Sequence, residues 1–342
     1  MPKRRIMIIA GESSGELYAA MLAKKLRLRL PDVELIGIGG KKMEAEGIEL
    51  IDTITGAFGL VEAFSSLKKL LSTYKKVVNI LTILKVDLLV LIDFPEFNLM
   101  VAKKANRLGI KILYYVSPQV WAWRQGRIKK IAHLSVKIAA ILPFEPKLYE
   151  PYGGNCEFVG HPIAEEIRAL KVDKETFFTK NLLCPDKPVI AILPGSRHSE
   201  LQRLLPVLIE AITLLKNKYQ YLQFILSVAP NIEEHHFKEH FNTLKTLGVI
   251  ISKENASIIL STSHTAIIAS GTAAFQGALI GIPMVVIYKL SWLTYILAKQ
   301  LIKVKYVNLT NLIFDKPIIP ELIQEHASAK NIVQAFDLIY NN

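Results

Sequence analysis

The sequence predicts an α/β protein of two doubly wound, parallel-sheet domains facing a central cleft. Three observations carry this. The chain has 342 residues, room for two domains that each bury a core. Short apolar, β-branched runs alternate with helical stretches through both halves, the pattern of buried parallel sheets wrapped by helices. The alternation breaks once, in a polar stretch from Lys171 to Lys187, as expected near a domain boundary.

In the first half the strand-like runs are Ile6 to Ala10, Val33 to Ile38, Val86 to Ile92, Ile110 to Val116 and Val136 to Leu142. The pattern ends near Val159-Gly160-His161-Pro162, so domains of 1–165 and 166–342 are expected. The second half resumes with Val189 to Leu193, Gln223 to Val228, Val249 to Ser252, Ala266 to Ala269 and Met284 to Ile287, and ends in a helix over Ala329 to Tyr340.

Composition narrows the class. With 51% hydrophobic and 21% charged residues the chain is not disordered. The run behind the basic start, Ile6 to Ala10, is too short for a signal-peptide core, and no run approaches the roughly 18 apolar residues of a spanning helix. Cys156 and Cys184 form neither a metal-ligand spacing nor a disulfide framework, which fits a reducing cytosol. Lys and Arg exceed Asp and Glu by 42 to 30, a net charge of +12. That favours nucleic acid, a phospholipid surface or phosphorylated substrates, among which charge alone does not choose.

Ligands of doubly wound sheets bind outside the carboxyl ends of strands, and the loops there are unusual. Gly11-Glu12-Ser13-Ser14-Gly15-Glu16 precedes a helix expected near Leu17; its glycines admit close backbone approach, and its N–H groups and hydroxyls suit a phosphate or sugar. It is neither a Walker A loop nor a dinucleotide fingerprint, and an ordinary tight turn fits equally well. Asp93-Phe94-Pro95-Glu96-Phe97-Asn98 follows a very apolar strand. A carboxylate there could be a general base of raised pKa, or it could cap the next helix. Pro194-Gly195-Ser196-Arg197 opens a helix expected from Leu201, with turn donors and an arginine suited to a diphosphate. Ser270-Gly271-Thr272-Ala273-Ala274 is a second such cradle. Plain helix capping is the alternative for each turn alone.

These segments, read with Ser117-Pro118-Gln119-Val120-Trp121-Ala122-Trp123-Arg124, Leu142-Pro143-Phe144-Glu145, Val159 to Pro162 and Tyr306-Val307-Asn308-Leu309-Thr310-Asn311-Leu312, closely resemble the lipid-A-disaccharide synthase family of inverting glycosyltransferases. The resemblance spans nearly the whole chain in order. It implies the GT-B fold of two Rossmann-like domains, and transfer of a sugar from UDP-2,3-diacylglucosamine to 2,3-diacylglucosamine 1-phosphate (lipid X). It implies Asp93 as the base for the acceptor hydroxyl. For the donor it implies Arg197, Asn311 and Gln324 together with Gly195, Ser196, Ser270, Gly271, Thr272 and Gln276. Acceptor and lipid are expected at Glu12, Ser13, Ser14, Gly15, Phe58, Leu60, Val61, Trp121 and Arg124.

The sequence departs from the family in three places. Gln276 stands where a glutamate is expected near the ribose, giving up a charge. Glu16 replaces the usual aspartate of the first loop. The sequence ends at Asn342, where family members usually continue with helices returning to the N-terminal domain; that bears on domain closure and on any swapped dimer.

From Leu60 to Lys85, apolar residues recur at Leu60, Phe64, Leu67, Leu71, Tyr74, Val78 and Leu81, a helical seam. Lys68, Lys69, Lys75, Lys76 and Lys85 accompany it without an acid between Ala63 and Val86. The residues alone read as a core-facing helix with a solvated lysine face. The acylated substrates implied by the resemblance point instead to an anionic membrane through Gly56 to Leu71. Arg124, Arg127, Lys129, Lys130 and Lys137, beside Trp121 and Trp123, read as a lipid-phosphate site in preference to RNA, the plain alternative again being a solvated face.

His236 and His240 stand four apart on an expected helix near His235, and without a third ligand they read as an exposed polar face. No Asp-x-Asp pair occurs, so neither metal nor cofactor is expected. Expected partners are the two substrates and an anionic membrane surface, with a homodimer left open and no nucleic acid. Expected localisation is cytoplasmic, peripheral on the inner face of the inner membrane. Two competitors remain: a UDP-N-acetylglucosamine 2-epimerase-like enzyme, which needs no acceptor, and a non-catalytic lipid- or nucleotide-binding relative.

Overall fold

A computed structural model describes residues 4–53, 63–301 and 304–341. The chain divides into two units, Met1–Pro162 and Ile163–Asn342. The first is built on seven strands: β1 (Arg5–Ala10), β2 (Glu34–Ile38), β3 (Glu49–Asp52), β4 (Leu88–Ile92), β5 (Lys111–Tyr115), β6 (Lys137–Ala140) and β7 (Cys156–Phe158). They lie in the order β3-β2-β1-β4-β5-β6-β7, and every pairing is parallel. The second unit has β8 (Val189–Leu193), β9 (Gln223–Ser227), β10 (Val249–Ser252), β11 (Thr265–Ala269), β12 (Met284–Tyr288) and β13 (Glu321–Ile323), all parallel in the order β10-β9-β8-β11-β12-β13.

Ten of these strands are the apolar runs of the sequence. The other three, β3, β7 and β13, are sheet edges of three or four residues with half-buried or exposed positions. Such an edge strand need bury only part of its surface and so can lack a continuous apolar run, although the fourth edge, β10, keeps one.

In each sheet the strand order reverses once, between β1 and β4 and between β8 and β11. A crevice opens at such a switch point, at the carboxyl ends of the strands. The four loops singled out in the sequence follow β1, β4, β8 and β11, and so flank the two switch points.

Two helices start earlier than expected. The helix Ser13–Arg29 begins four residues before Leu17, so Ser14, Gly15 and Glu16 form its first turn. The helix His198–Lys218 begins three residues before Leu201. Its Leu201, Leu204, Leu205, Leu208, Ile212 and Leu215 are fully buried. At about 1.5–3 kcal/mol for each buried side chain, this burial outweighs a cap worth ~1 kcal/mol and fixes the turn ahead of it.

The helix Ala63–Ile83 differs in its face. Thr73, Val77 and Leu81 are buried while Leu71 is 46% exposed. The Thr73 hydroxyl donates to Asp52 Oδ2 at 2.7 Å, and Lys76 Nζ pairs with the same oxygen at 3.0 Å. A polar anchor to the end of β3 thus rotates the helix away from the seam that apolar spacing alone selects. Phe58, Leu60 and Val61 lie outside the described residues, as do the side chains of Ser13, Phe64, Leu67 and Trp123.

Candidate active site

At the first switch point the chain leaves β4 through two consecutive non-glycine residues in the left-handed region, Asp93 at φ 45° and Phe94 at φ 46°. L-residues with a Cβ avoid this region, at about 1–2 kcal/mol each, so packing must hold them. The Asp93 N–H donates to Val116 O at 3.1 Å. Its carbonyl accepts from Asn98 Nδ2 at 2.8 Å and from the Tyr114 hydroxyl at 2.9 Å. The Phe94 ring stacks on Phe97 with centroids 5.6 Å apart, and it occupies the space a Cβ on Gly11 would fill, whose nearest ring atom would lie at 2.3 Å. Gly15 brings its helix against Ile92 Cγ2. The close approach these glycines permit is between the loop after β1 and the end of β4.

This clamp leaves the Asp93 carboxyl poised. Burial first, then repulsion from Glu12 and Glu96, raises its pKa from 3.8 to about 7. The helix behind it is capped at Phe94 without a side-chain bond, so Asp93 is not its cap. A second carboxyl, Glu145, is fully buried and is also pushed up to about 7, chiefly by burial. It accepts from the N–H groups of Ile141 and Leu142 at 3.1 and 3.0 Å, and from the Trp121 indole at 3.3 Å. His161, edge-on to Tyr18, is depressed to about 4 by burial and stays neutral.

At the second switch point Glu200 reaches back into the Pro194–Arg197 turn. Its Oε2 accepts from Ser196 N–H at 2.9 Å and Arg197 N–H at 3.1 Å. Gly195 stands at φ 109°, and a Cβ there would lie 2.3 Å from that oxygen. Two of the expected diphosphate donors are thus already engaged by an internal carboxylate. The Arg197 guanidinium remains largely exposed, 3.6 Å from Glu200. The Ser270–Thr272 turn is different. The helix Thr272–Ile280 has no side-chain cap, and a Cβ on Gly271 would meet open space. The Ser270 hydroxyl donates to Val307 O at 3.4 Å. Gln276 is buried, with no side-chain hydrogen bond among the described residues. Asn308 Nδ2 and Thr310 Oγ1 are likewise buried without a partner there. The unsatisfied buried atoms of Asn308 and Thr310 call for a ligand or water.

A family model described as lipid-A-disaccharide synthetase matches residues 6–342. The chain belongs to that family. It is 38% identical over 333 residues to a lipid-A-disaccharide synthase of Geobacter metallireducens, covering 97% of this chain and 86% of the relative. It is 40% identical over 341 residues to lipid-A-disaccharide synthase 1 of Legionella pneumophila strain Lens, covering 99% and 88%. Among solved structures it resembles a UDP-N-acetylglucosamine 2-epimerase from Rickettsia bellii, with TM-score 0.64, 15% identity, and 99% and 88% of the two chains covered. It equally resembles a glycosyltransferase from Rickettsia africae, with TM-score 0.59, 14% identity, and 100% and 89% covered. Those two likenesses show the GT-B fold and do not separate transferase from epimerase. Family membership does: the chain is a glycosyltransferase of lipid A biosynthesis, acting on a UDP-sugar and a lipid substrate.

Within this synthase fold several expected contacts are spent internally. Asn311, buried, donates through Nδ2 to Ile319 O at 2.8 Å and Glu321 Oε1 at 2.7 Å, and accepts from Ile319 N–H at 2.8 Å. The Gln324 amide accepts from Leu290 N–H at 2.6 Å and donates to Leu290 O at 3.3 Å. Both amides shape loops: Asn311 has both N–H donors engaged, while Gln324 keeps one N–H and one oxygen lone pair. Trp121 is buried beneath Phe144. Arg124 and Arg127 both pair with Glu96, at 2.8 and 2.9 Å, and Lys137 pairs with Glu157 at 2.8 Å, so the second basic cluster is partly neutralised. Glu16 accepts from Lys42 N–H at 2.6 Å, at the start of the helix Lys41–Ala45. Sequence reasoning missed Glu200, Asn308 and Thr310; the signal for Glu200 was a glutamate three residues after the helix cap position.

Proposed function

We propose that the chain joins UDP-2,3-diacylglucosamine to 2,3-diacylglucosamine 1-phosphate, releasing UDP, with inversion by a single displacement. The observation that carries the mechanism is the Asp93 carboxyl, set on a clamped backbone, with its pKa raised to about 7. Such a group is largely ionised just above neutrality yet basic enough to take the acceptor's 6-hydroxyl proton as that oxygen attacks the anomeric carbon. Positioned acid–base catalysis of this kind is worth about 10²–10⁴ in rate. Ser270, Gly271 and Thr272 at the open helix start, with Arg197, are the groups best suited to stabilise the departing diphosphate. Gln276, Asn308 and Thr310 supply unspent polar atoms beside them.

Membrane contact is assigned to the first unit. Lys68, Lys69 and Lys75 are exposed beside Leu71, a combination that suits an anionic bilayer surface. Among the described residues no helix is long and apolar enough to cross a membrane, so the proposed association is peripheral, on the cytoplasmic face of the inner membrane. A homodimer is compatible with the reading and is not needed for the chemistry.

Purified protein incubated with both acylated sugars should yield the disaccharide 1-phosphate by mass spectrometry, and UDP only when both are present. Asp93→Ala should fold normally and lose turnover; full activity would remove Asp93 as base. Arg197→Ala should weaken UDP binding by at least about tenfold, the scale of a lost charge-assisted contact of 1.5–3 kcal/mol. Unchanged UDP affinity would remove that role.

A further inference from the structure

Away from the reacting groups, the histidines occupy a different arrangement from the one their spacing suggests. His235 and His236 lie in a single 3₁₀ turn, Glu234–Phe237, while His240 belongs to the next helix, Lys238–Thr246. The partner of His236 is consequently Glu233, three residues earlier, because side chains three apart eclipse on a 3₁₀ turn.

We propose that Glu233, His235 and His236 form a binding site for one divalent transition-metal ion of the zinc class. One oxygen of Glu233, Oε2, lies 3.5 Å from His235 Nε2 and 3.4 Å from His236 Nε2. Metal–ligand bonds of about 2.0–2.1 Å at tetrahedral angles place ligand atoms about 3.3 Å apart, so two edges of the coordination tetrahedron already have their length. All three ligand atoms fall within 4.8 Å of one another, and a small imidazole rotation closes the third edge. Two imidazoles and one carboxylate select zinc, cobalt, nickel or copper. Calcium and magnesium prefer all-oxygen shells.

The site is held before any ion arrives. Phe237, next in the turn, is buried in the core of the second unit. The His198 ring meets the His236 ring edge-on with centroids 4.9 Å apart, and packs on Phe237 at 4.6 Å. Asn231 Nδ2 donates to Ser196 O at 2.8 Å, fastening the preceding loop to the Pro194–Arg197 turn. Lys253 takes the neighbouring acid, Glu234, at 2.6 Å, leaving Glu233 to the imidazoles. Such preorganisation lowers the ordering cost of binding. Three protein ligands leave a fourth coordination position open to water or a small anion.

Full-length, chelator-treated protein should be titrated with zinc chloride by calorimetry, and with cobalt chloride while its visible absorption is followed. The expected result is one ion per chain and the intense absorption of tetrahedral cobalt. His235→Ala, His236→Ala and Glu233→Gln should each weaken binding by at least about tenfold, since even outer-shell losses cost 10–100-fold. His240→Ala should bind as the parent does. Glu233, His235 and His236 are exposed and His240 is half-buried, so unchanged thermal melts will verify folding. Absence of saturable binding, or affinity equal to the parent's in the His235→Ala and His236→Ala variants, would overturn the proposal.

Discussion

Replacing Asp93 by Asn should stabilise the fold while removing turnover, and both effects should follow pH. The native state raises this carboxyl from 3.8 to about 7, so over that interval the folded chain binds a proton that the unfolded chain has released. Ionising Asp93 therefore costs nothing below its unfolded pKa. Stability then falls as pH rises from about 4 to about 7, and the full cost persists above that. At 1.36 kcal/mol per pKa unit the cost is ~4 kcal/mol at most, reduced by solvent screening because the residue is partly exposed. Asn cannot ionise, and it tolerates the left-handed backbone better than most residues. Between pH 5 and pH 8.5 the stability gap between variant and parent should widen by ~2 kcal/mol in urea unfolding. Glu145 is present in both proteins, so its own titration near 7 largely cancels from the difference. In parallel, kcat/KM of the parent should rise through about pH 7 on the acidic side and fall about 10²–10⁴-fold in the variant. A stability gap independent of pH would refute the burial argument. An acidic limb unmoved from pH 4 would refute the assignment of the base.

Gly195→Ala forces a Cβ into the left-handed region and against Glu200 Oε2; it should cost about 1–3 kcal/mol, read as a lower urea midpoint, and an unchanged midpoint would show that the turn relaxes freely. Asn311→Ala removes the bonds to Ile319 and Glu321 from a buried position and should destabilise by about 2–4 kcal/mol, given 1–3 kcal/mol for each buried group left unpaired. A variant of normal stability with lost UDP affinity would instead make Asn311 a ligand contact.

What could be read from the sequence follows from what leaves a local trace. Buried parallel strands do: Val189–Leu193 coincides with its apolar run. Edge strands such as Cys156–Phe158 do not, because pairing on one side and partial exposure remove the periodic signal. The site was legible as far as its loops, since strand ends at a switch point combine glycine, hydroxyl and charged residues whatever they bind. The destination of each polar atom was not legible. Asn311 and Gln324 carry the residue types of a nucleotide contact, yet their partners lie eight and thirty-four residues away on the chain. Spacing rules reach three or four residues along a helix and do not see such pairings.

A helix start attracts anions because its first N–H groups lack partners. At the Pro194–Arg197 turn Glu200 has taken two such groups, and its negative charge stands where a diphosphate oxygen would go. A diphosphate approaching those two N–H groups meets the buried Glu200 carboxylate first. At Gly271 no side chain intervenes, and the neighbouring Gln276, Asn308 and Thr310 retain unspent polar atoms. On the proposed reading the Ser270–Thr272 turn is the more open anion cradle of the two. On the same reading Arg197 adds its charge from a turn whose N–H groups Glu200 holds.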